Sequence, residues 1–373
     1  LAEMETSGEN SRATDIYVFL YDDGTLTFGT QNKPIEGKTV VKEYGNIKGQ
    51  EYSSWTDENN NVVSNIPWFN DKASITKVNI EDEIVPVSMV RWFYYCQNLT
   101  TIENIERIDT SEVQNMQSMF QGCSSLKSLN LSSFDTSKVQ DMEDIFRNCS
   151  NLTEIIGLEK FNTSNVQSMT SMFHNCSSLN NLNLSSFNTS KVKDMEAMFR
   201  YCSNLTEILG LEKFNTSNVE NMNSMFQGCS SLKNLNLSGF NTDKVRNMYA
   251  MFYNCSELTE ILGLEKFNTN NVENMHAMFQ GCSNINSLNL SSFDTSKVKD
   301  MESMFRYCSN LTEILGLEKF NTSNIPSMAT MFQNCSSLKS LNLNGFNTGN
   351  VKNMEAMFYN CSELTEILGL EKF

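Results

Sequence analysis

Eleven cysteines, at positions 96, 123, 149, 176, 202, 229, 255, 282, 308, 335 and 361, divide most of the chain into steps of alternately 27 and 26 residues. Two unlike units therefore make one repeat of 53 residues, and it runs without interruption to Phe373. A fixed period of this kind means an array of coils, each too small to bury its apolar face alone and each covered by its neighbour. The repeat overrides the two or three globular domains that 373 residues would otherwise suggest.

The first intact unit begins at Val113. Val113, Met116, Met119, Phe120 and Cys123 fall at i, i+3, i+6, i+7 and i+10, which predicts one face of a short helix of about three turns. Thr136-Ser137 and its equivalents (Ser164, Ser190, Ser217, Ser296, Ser323) place a hydroxyl where such a helix needs its N-cap. In Ser217-Asn-Val-Glu220 a glutamate follows three residues later, as in a capping box. After the helix, Leu126-x-x-Leu129-x-Leu131 puts two leucines on one face of a strand, and Phe134 closes the coil.

Stacked coils bring like residues above one another. Columns through Phe120 and Phe134 take 21 of the 24 phenylalanines, and Met116 and Cys123 belong to columns of their own. At roughly 1.5–3 kcal/mol per large apolar side chain buried, this linear core is ample.

The run Phe-Asn/Asp-Thr-Ser-x-Val-x-x-Met-x-x-Met-Phe-x-x-Cys-Ser-x-Leu, with Leu-x-x-Leu-x-Leu after it, resembles the BspA-like leucine-rich-repeat surface proteins of bacteria, including mycoplasma lipoprotein-type repeats. The resemblance covers residues 76–373. It implies an α/β solenoid, a leucine-rich-repeat-like array of about eleven strand–short-helix coils behind an N-terminal β-containing cap. It also implies display outside the cell and use in adhesion or partner recognition.

Ahead of the array lies a segment of different character, residues 1–73. Residues 1–14 are polar and aperiodic and are expected to fray. Two β-rich runs flanking Asp22-Asp23-Gly24 predict a hairpin over 16–29. Ser74–Ile80 reads as the first solenoid strand and Met89–Cys96 as the first repeat helix, with Trp92 in place of a methionine. All three tryptophans precede residue 93, as a module covering the apolar end of the stack would require. The solenoid is assigned 74–373, and because it stops inside a unit at Leu370-Glu-Lys-Phe373 we expect the sequence to be part of a longer protein.

No catalytic residue, metal ligand or cofactor site is expected. The cysteines occupy one column, are odd in number and include no Cys-x-x-Cys; His174 and His276 sit in different units. A column of small buried thiols is the better account. An Asx-Thr column (Asp109-Thr110, Asp135-Thr136, Asn162-Thr163 and onward) reads as a turn ladder rather than a calcium or ice site, being mostly neutral Asn.

The strand face carries the sharpest hint of binding. Between inward leucines the short units present Asn130, Asn183, Asn236, Asn289 and Asn342, and the long units Ile156, Leu209, Leu262, Leu315 and Leu368, each followed by glycine. Pointing outward, the aliphatics would form an apolar stripe for an extended partner or another copy of the solenoid. Alternatively the glycine makes a bulge that turns them inward, and this second arrangement is the favoured expectation.

A net charge of −16 argues against nucleic acid and against direct binding to anionic lipid, and no run approaches a spanning length. The expectation is a non-enzymatic bacterial recognition or adhesion solenoid, at the cell surface or secreted, whose anchor lies outside this sequence. Its partner would be an extracellular protein or glycan, or another copy of the solenoid. The alternative is a spacer that holds another domain away from the envelope, favoured by the near identity of the coils. An enzyme with its chemistry in 31–73 has no mechanism at Asp57, Glu58 or the tryptophans.

Overall fold

The structure, a computed structural model, describes residues 12–373. It is a β-solenoid of short strands, 3₁₀ turns and β-turns. It divides into two compact units, one ending at Ser168 and taking in Asn175–Leu179, the other formed by Met169–His174 with Asn180–Phe373.

In the first unit, β1 (Tyr17–Tyr21) and β2 (Thr25–Gly29) form the expected antiparallel hairpin, Val18 opposite Phe28. Gly24 turns the chain at φ 86° while Asp23 Oδ1 accepts the Thr25 N–H. β3 (Val40–Asn46) pairs on the outer side of β1. On its other side β2 runs parallel to β6 (Lys77–Ile80), which is followed by β7 (Thr101–Glu103), so the hairpin joins the solenoid's own sheet. Trp92 stacks on Phe28 at 4.9 Å, Trp68 meets Phe28 edge-on at 5.6 Å, and Trp68 Nε1–H donates to the Trp92 carbonyl at 2.7 Å. Only two tryptophans join this packing. Trp55, on the small hairpin of β4 (Ser54–Thr56) and β5 (Val62–Ser64), is half exposed. Of the stretch expected to fray, residues 12–14 are tied down: Arg12 pairs with Asp109 and Glu112, and Thr14 exchanges hydrogen bonds with Val85. Residues 1–11 lie outside the described residues.

The predicted short helices are not formed. Val113, Met116, Met119, Phe120 and Cys123 are fully buried as the spacing requires, but their backbone is a run of tight turns. The N–H groups of Met116, Ser118, Phe120 and Gly122 donate to carbonyls of Asp141, Glu143, Ile145 and Arg147, one coil on. The N–H groups of Met119, Gln121 and Cys123 instead donate three residues back, within the coil. Ser118 (φ 57°) and Gly122 (φ 79°) adopt left-handed backbone where the direction reverses. An α-helix would satisfy its amides internally; here every second amide is shared with the neighbouring coil. Turns of three to four residues repeat at nearly the helical period, so the sequence pattern alone does not separate the two.

The hydroxyls expected as N-caps have other partners. Ser217 Oγ–H and N–H both donate to Asn215 Oδ1, an Asx turn. The neighbouring threonines bridge coils. Thr242 Oγ1–H donates to the Asn268 carbonyl and Oγ1 accepts the Asn268 N–H, both at 2.8 Å, with Thr242 buried. The Asx-Thr column is thus the turn ladder read from its composition. Thr242→Val is expected to strand both main-chain groups and cost about 2–3 kcal/mol, read from a urea denaturation curve. A loss below about 0.5 kcal/mol would refute the bridge.

Columns of like side chains fill the interior. In the second unit Phe199, Phe226, Phe252 and Phe279 stack at 5.5–5.9 Å within 10° of parallel. Beside them each cysteine thiol of that unit donates to the carbonyl of the phenylalanine one coil earlier, as Cys229 Sγ does to Phe199 O at 3.0 Å and Cys255 Sγ to Phe226 O at 3.1 Å. Every cysteine is a free thiol.

The remaining strands come in parallel pairs. In the first unit β8 (Ser128–Asn130) pairs with β9 (Glu154–Ile156). In the second, β10 (Asn181–Asn183) pairs with β11 (Glu207–Leu209), β12 (Asn234–Asn236) with β13 (Glu260–Leu262), β14 (Ser287–Asn289) with β15 (Glu313–Leu315), and β16 (Ser340–Asn342) with β17 (Glu366–Leu368). Among the described residues of the second unit no ladder joins one pair to the next. The 53-residue period of the sequence is therefore a structural doublet.

Candidate functional site: the strand face

Each doublet presents the same outward rungs. The middle residue of the short-unit strand is buried (Leu129, Leu182, Leu235, Leu288, Leu341), so its flanking residues point to solvent. In the first unit Asn130 lies opposite Ile156. In the second, Asn183 faces Leu209, Asn236 faces Leu262, Asn289 faces Leu315 and Asn342 faces Leu368.

The aliphatics are outside. Ile156, Leu209, Leu262, Leu315 and Leu368 keep 39, 46, 43, 42 and 42% of their surface exposed, contrary to the favoured expectation of an inward turn. The glycine does not bulge the strand; it ends it. Gly263, at φ 92°, starts the 3₁₀ turn Leu264–Lys266, and the extra residue lets Leu264 rather than Leu262 enter the core at 4% exposure. A Cβ on Gly263 would lie 2.6 Å from the Leu237 carbonyl oxygen and the Ser238 Cα, so only glycine fits.

The asparagine rungs have a structural task as well. Asn236 Oδ1 accepts both the N–H and Oγ–H of Ser238, and Asn130 and Asn289 do the same for Ser132 and Ser291. Their carbonyl oxygens are committed to the turn that ends the strand. The Nδ2 group is the part that can meet a ligand.

One set of outward residues was not singled out from the sequence. Glu154 in the first unit, and Glu207, Glu260, Glu313 and Glu366 in the second, stand two residues before the exposed aliphatic and on the same face. The repeated Thr-Glu-Ile-Leu/Ile-Gly contained the signal, since a period of two puts its second and fourth residues together. Each doublet thus shows a carboxylate, a carboxamide and an aliphatic side chain on paired strands. Such a surface offers shape, apolar contact and charge.

Other concavities differ. In the first unit a recess of about 290 Å³ is lined by Glu51, Ser88, Glu112, Asn115 and Lys138, but Glu112 there is already held by Arg12 and Lys138 at 2.9 and 3.0 Å. Among the described residues no three His, Cys, Asp or Glu side chains gather at metal-binding distance. His174 is buried, with Nδ1 3.4 Å from Ser171 Oγ; His276 Nδ1 lies 3.1 Å from Asp300 Oδ1, and that hydrogen bond holds its pKa above the ordinary value. Burial pushes the Cys149, Cys255 and Cys308 thiols up to about 12, so they are packing groups rather than nucleophiles. No helix is long and apolar enough to cross a membrane among the described residues.

A repeated Val-x-x-Met turn run, a thiol column and a Thr-Glu-Ile-Leu-Gly strand together form a recognisable unit. The family described as Mycoplasma protein of unknown function, DUF285, matches residues 87–207, 181–288 and 278–370. The chain belongs to that family. Among solved structures, this DUF285 chain aligns with bacterial leucine-rich repeat proteins. One, from Bacteroides ovatus, is 16% identical, with 91% of this chain and 97% of that one aligned and a TM-score of 0.31. Another, from Eubacterium ventriosum, is 15% identical over 95% of this chain and 94% of that one, with a TM-score of 0.40. No curated protein matches the chain.

Proposed function

We propose that this DUF285 chain is a non-enzymatic recognition solenoid, displayed on or secreted from a bacterial cell, whose strand face binds host or neighbouring-cell macromolecules. The leucine-rich-repeat-like fold suggests protein interaction. The single observation that carries the reading is the exposed aliphatic that each strand doublet of the second unit repeats, Leu209, Leu262, Leu315 and Leu368. Apolar side chains repeated on a rigid face are the usual mark of a surface that meets a partner. The test is a binding screen against matrix proteins, mucin and glycans, with the intact chain beside Leu209→Ser/Leu262→Ser/Leu315→Ser. Expected is at least one ligand bound by the first and lost about tenfold by the second. Equal binding by both, or none by the intact chain, would sink the proposal.

A spacer is the second reading, favoured by the near identity of the doublets. Deletion of one 53-residue doublet distinguishes the two. A spacer keeps its function when shortened, whereas a dedicated site is lost with only some deletions.

A further inference from the structure

The strand pairing stops between doublets, and in the second unit the stop between β13 and β14 opens a crevice of about 170 Å³. Ile261, Leu264, Ile285 and Leu288 line it together with the carboxylates Glu260 and Glu265. Leu264, Ile285 and Leu288 are buried, Ile261 is half-buried, and both glutamates are exposed with no ion-pair partner among the described residues. Thr259, which also lines it, donates its Oγ1–H to the Lys233 carbonyl at 3.0 Å. The volume is below the ~300–1,000 Å³ of a small-molecule site, and suits the end of one side chain.

A side chain that enters must be slim, apolar along its stem and cationic at its tip. Arginine and lysine have that form, and their stems lie along apolar walls while the charged head meets carboxylates. The net charge of −16 favours the same sign of ligand at longer range.

The seam residues repeat. Glu207 and Glu212 precede the β11–β12 stop, and Glu313 and Glu318 the β15–β16 stop, as Glu260 and Glu265 precede β13–β14. Successive seams are two coils apart, about 10 Å at the ~4.8 Å strand spacing. A polyproline II chain advances about 9.3 Å in its three-residue turn and returns every third side chain to one face. An ordinary extended strand offers same-face side chains every ~6.6 Å and matches less well.

We propose that the seams between strand doublets bind a partner protein segment in polyproline II form that carries a basic residue at every third position. Each basic side chain enters one seam between the paired glutamates, and the backbone lies over the exposed Leu209, Leu262 and Leu315. This rests on the strand-face reading above and adds the chemistry and register of the partner. Linked weak contacts of this kind raise affinity well beyond that of one.

The test uses two nine-residue peptides of one composition, arginine and proline. In one, arginine occupies every third position; in the other, the three arginines are consecutive. Both carry the same charge and the same number of prolines. Titration into the intact chain by calorimetry at about 0.15 M salt is expected to give about tenfold tighter binding of the spaced peptide. Glu207→Gln/Glu260→Gln/Glu313→Gln should abolish that preference, while the charge-matched Glu220→Gln/Glu257→Gln/Glu273→Gln retains it. All six are exposed, so circular dichroism should be unchanged. Equal binding of the two peptides, or a preference that survives loss of the seam glutamates, overturns the proposal. Such an outcome leaves the macromolecule screen and its leucine variant to decide the strand-face reading separately.

Discussion

Raising the pH above about 9 is expected to unfold the second unit within one to two pH units, far more steeply than an ordinary surface titration would. Its column includes Cys229, Cys255, Cys282, Cys308 and Cys335, all raised by burial from the ordinary 9.0, with Cys255 and Cys308 at about 12. Their native pKa lies above the unfolded one, so below about pH 8 both states carry the proton and stability is flat. Between 9 and 12 the unfolded chain releases protons that the native column retains, and stability falls as pH rises. Each thiol contributes a slope of about 1.4 kcal/mol per pH unit, and five in one cooperative unit about 7, against the ~5–15 kcal/mol of a typical domain. Urea denaturation at pH 8, 9 and 10 measures the slope, and each Cys→Ala substitution among these five should reduce it by about 1.4 kcal/mol per pH unit. A flat stability between pH 9 and 10.5 would refute the thiol column as a packing device. Ellman's reagent at neutral pH is the companion measurement. Cys361 is only half-buried and should react first, the buried thiols only on unfolding.

Gly263→Ala is expected to cost about 3–4 kcal/mol, more than its size suggests. About 1 kcal/mol is the left-handed backbone, which disfavours any Cβ. The remainder is the 2.6 Å approach to Leu237 O and Ser238 Cα, which forces the doublet's two coils apart. Gly49→Ala is the control. Gly49 also has positive φ, 69°, but no atom lies within 4 Å of its would-be Cβ, so it should lose only the ~1 kcal/mol backbone share. Similar losses at the two glycines would show that coil approach has no part in the glycine requirement. A drop in peptide binding by Gly263→Ala at temperatures where it stays folded would follow from a widened β12–β13 pair.

The core was readable because burial imposes its period on the residues whatever the backbone does. Phe120, Met116, Cys123 and Phe134 are buried as their columns required. The local backbone was not readable for the same reason. Met116, Met119 and Phe120 face inward equally well from a helix or from tight turns, and the choice rests on amide partners in the next coil. The hydroxyl of Thr242 was hidden likewise, since its two partners on Asn268 lie 26 residues away and outside any local pattern.

At the strand face the division falls elsewhere. The alternation of Asn130-type and Ile156-type residues was visible, and so was the glycine after each aliphatic. Which way the aliphatic points depended on a left-handed turn at Gly157 or Gly263 that hands the core position to Leu158 or Leu264. The break in pairing that opens the seam beside Glu260 has no local signature.

The sequence by itself determined the coil count, the doublet period, the core columns and the family, because repetition and apolar spacing are properties of the chain order. Tertiary structure decided the turn backbone, the outward aliphatics and the seams, because each depends on hydrogen bonds and close approach between neighbouring coils.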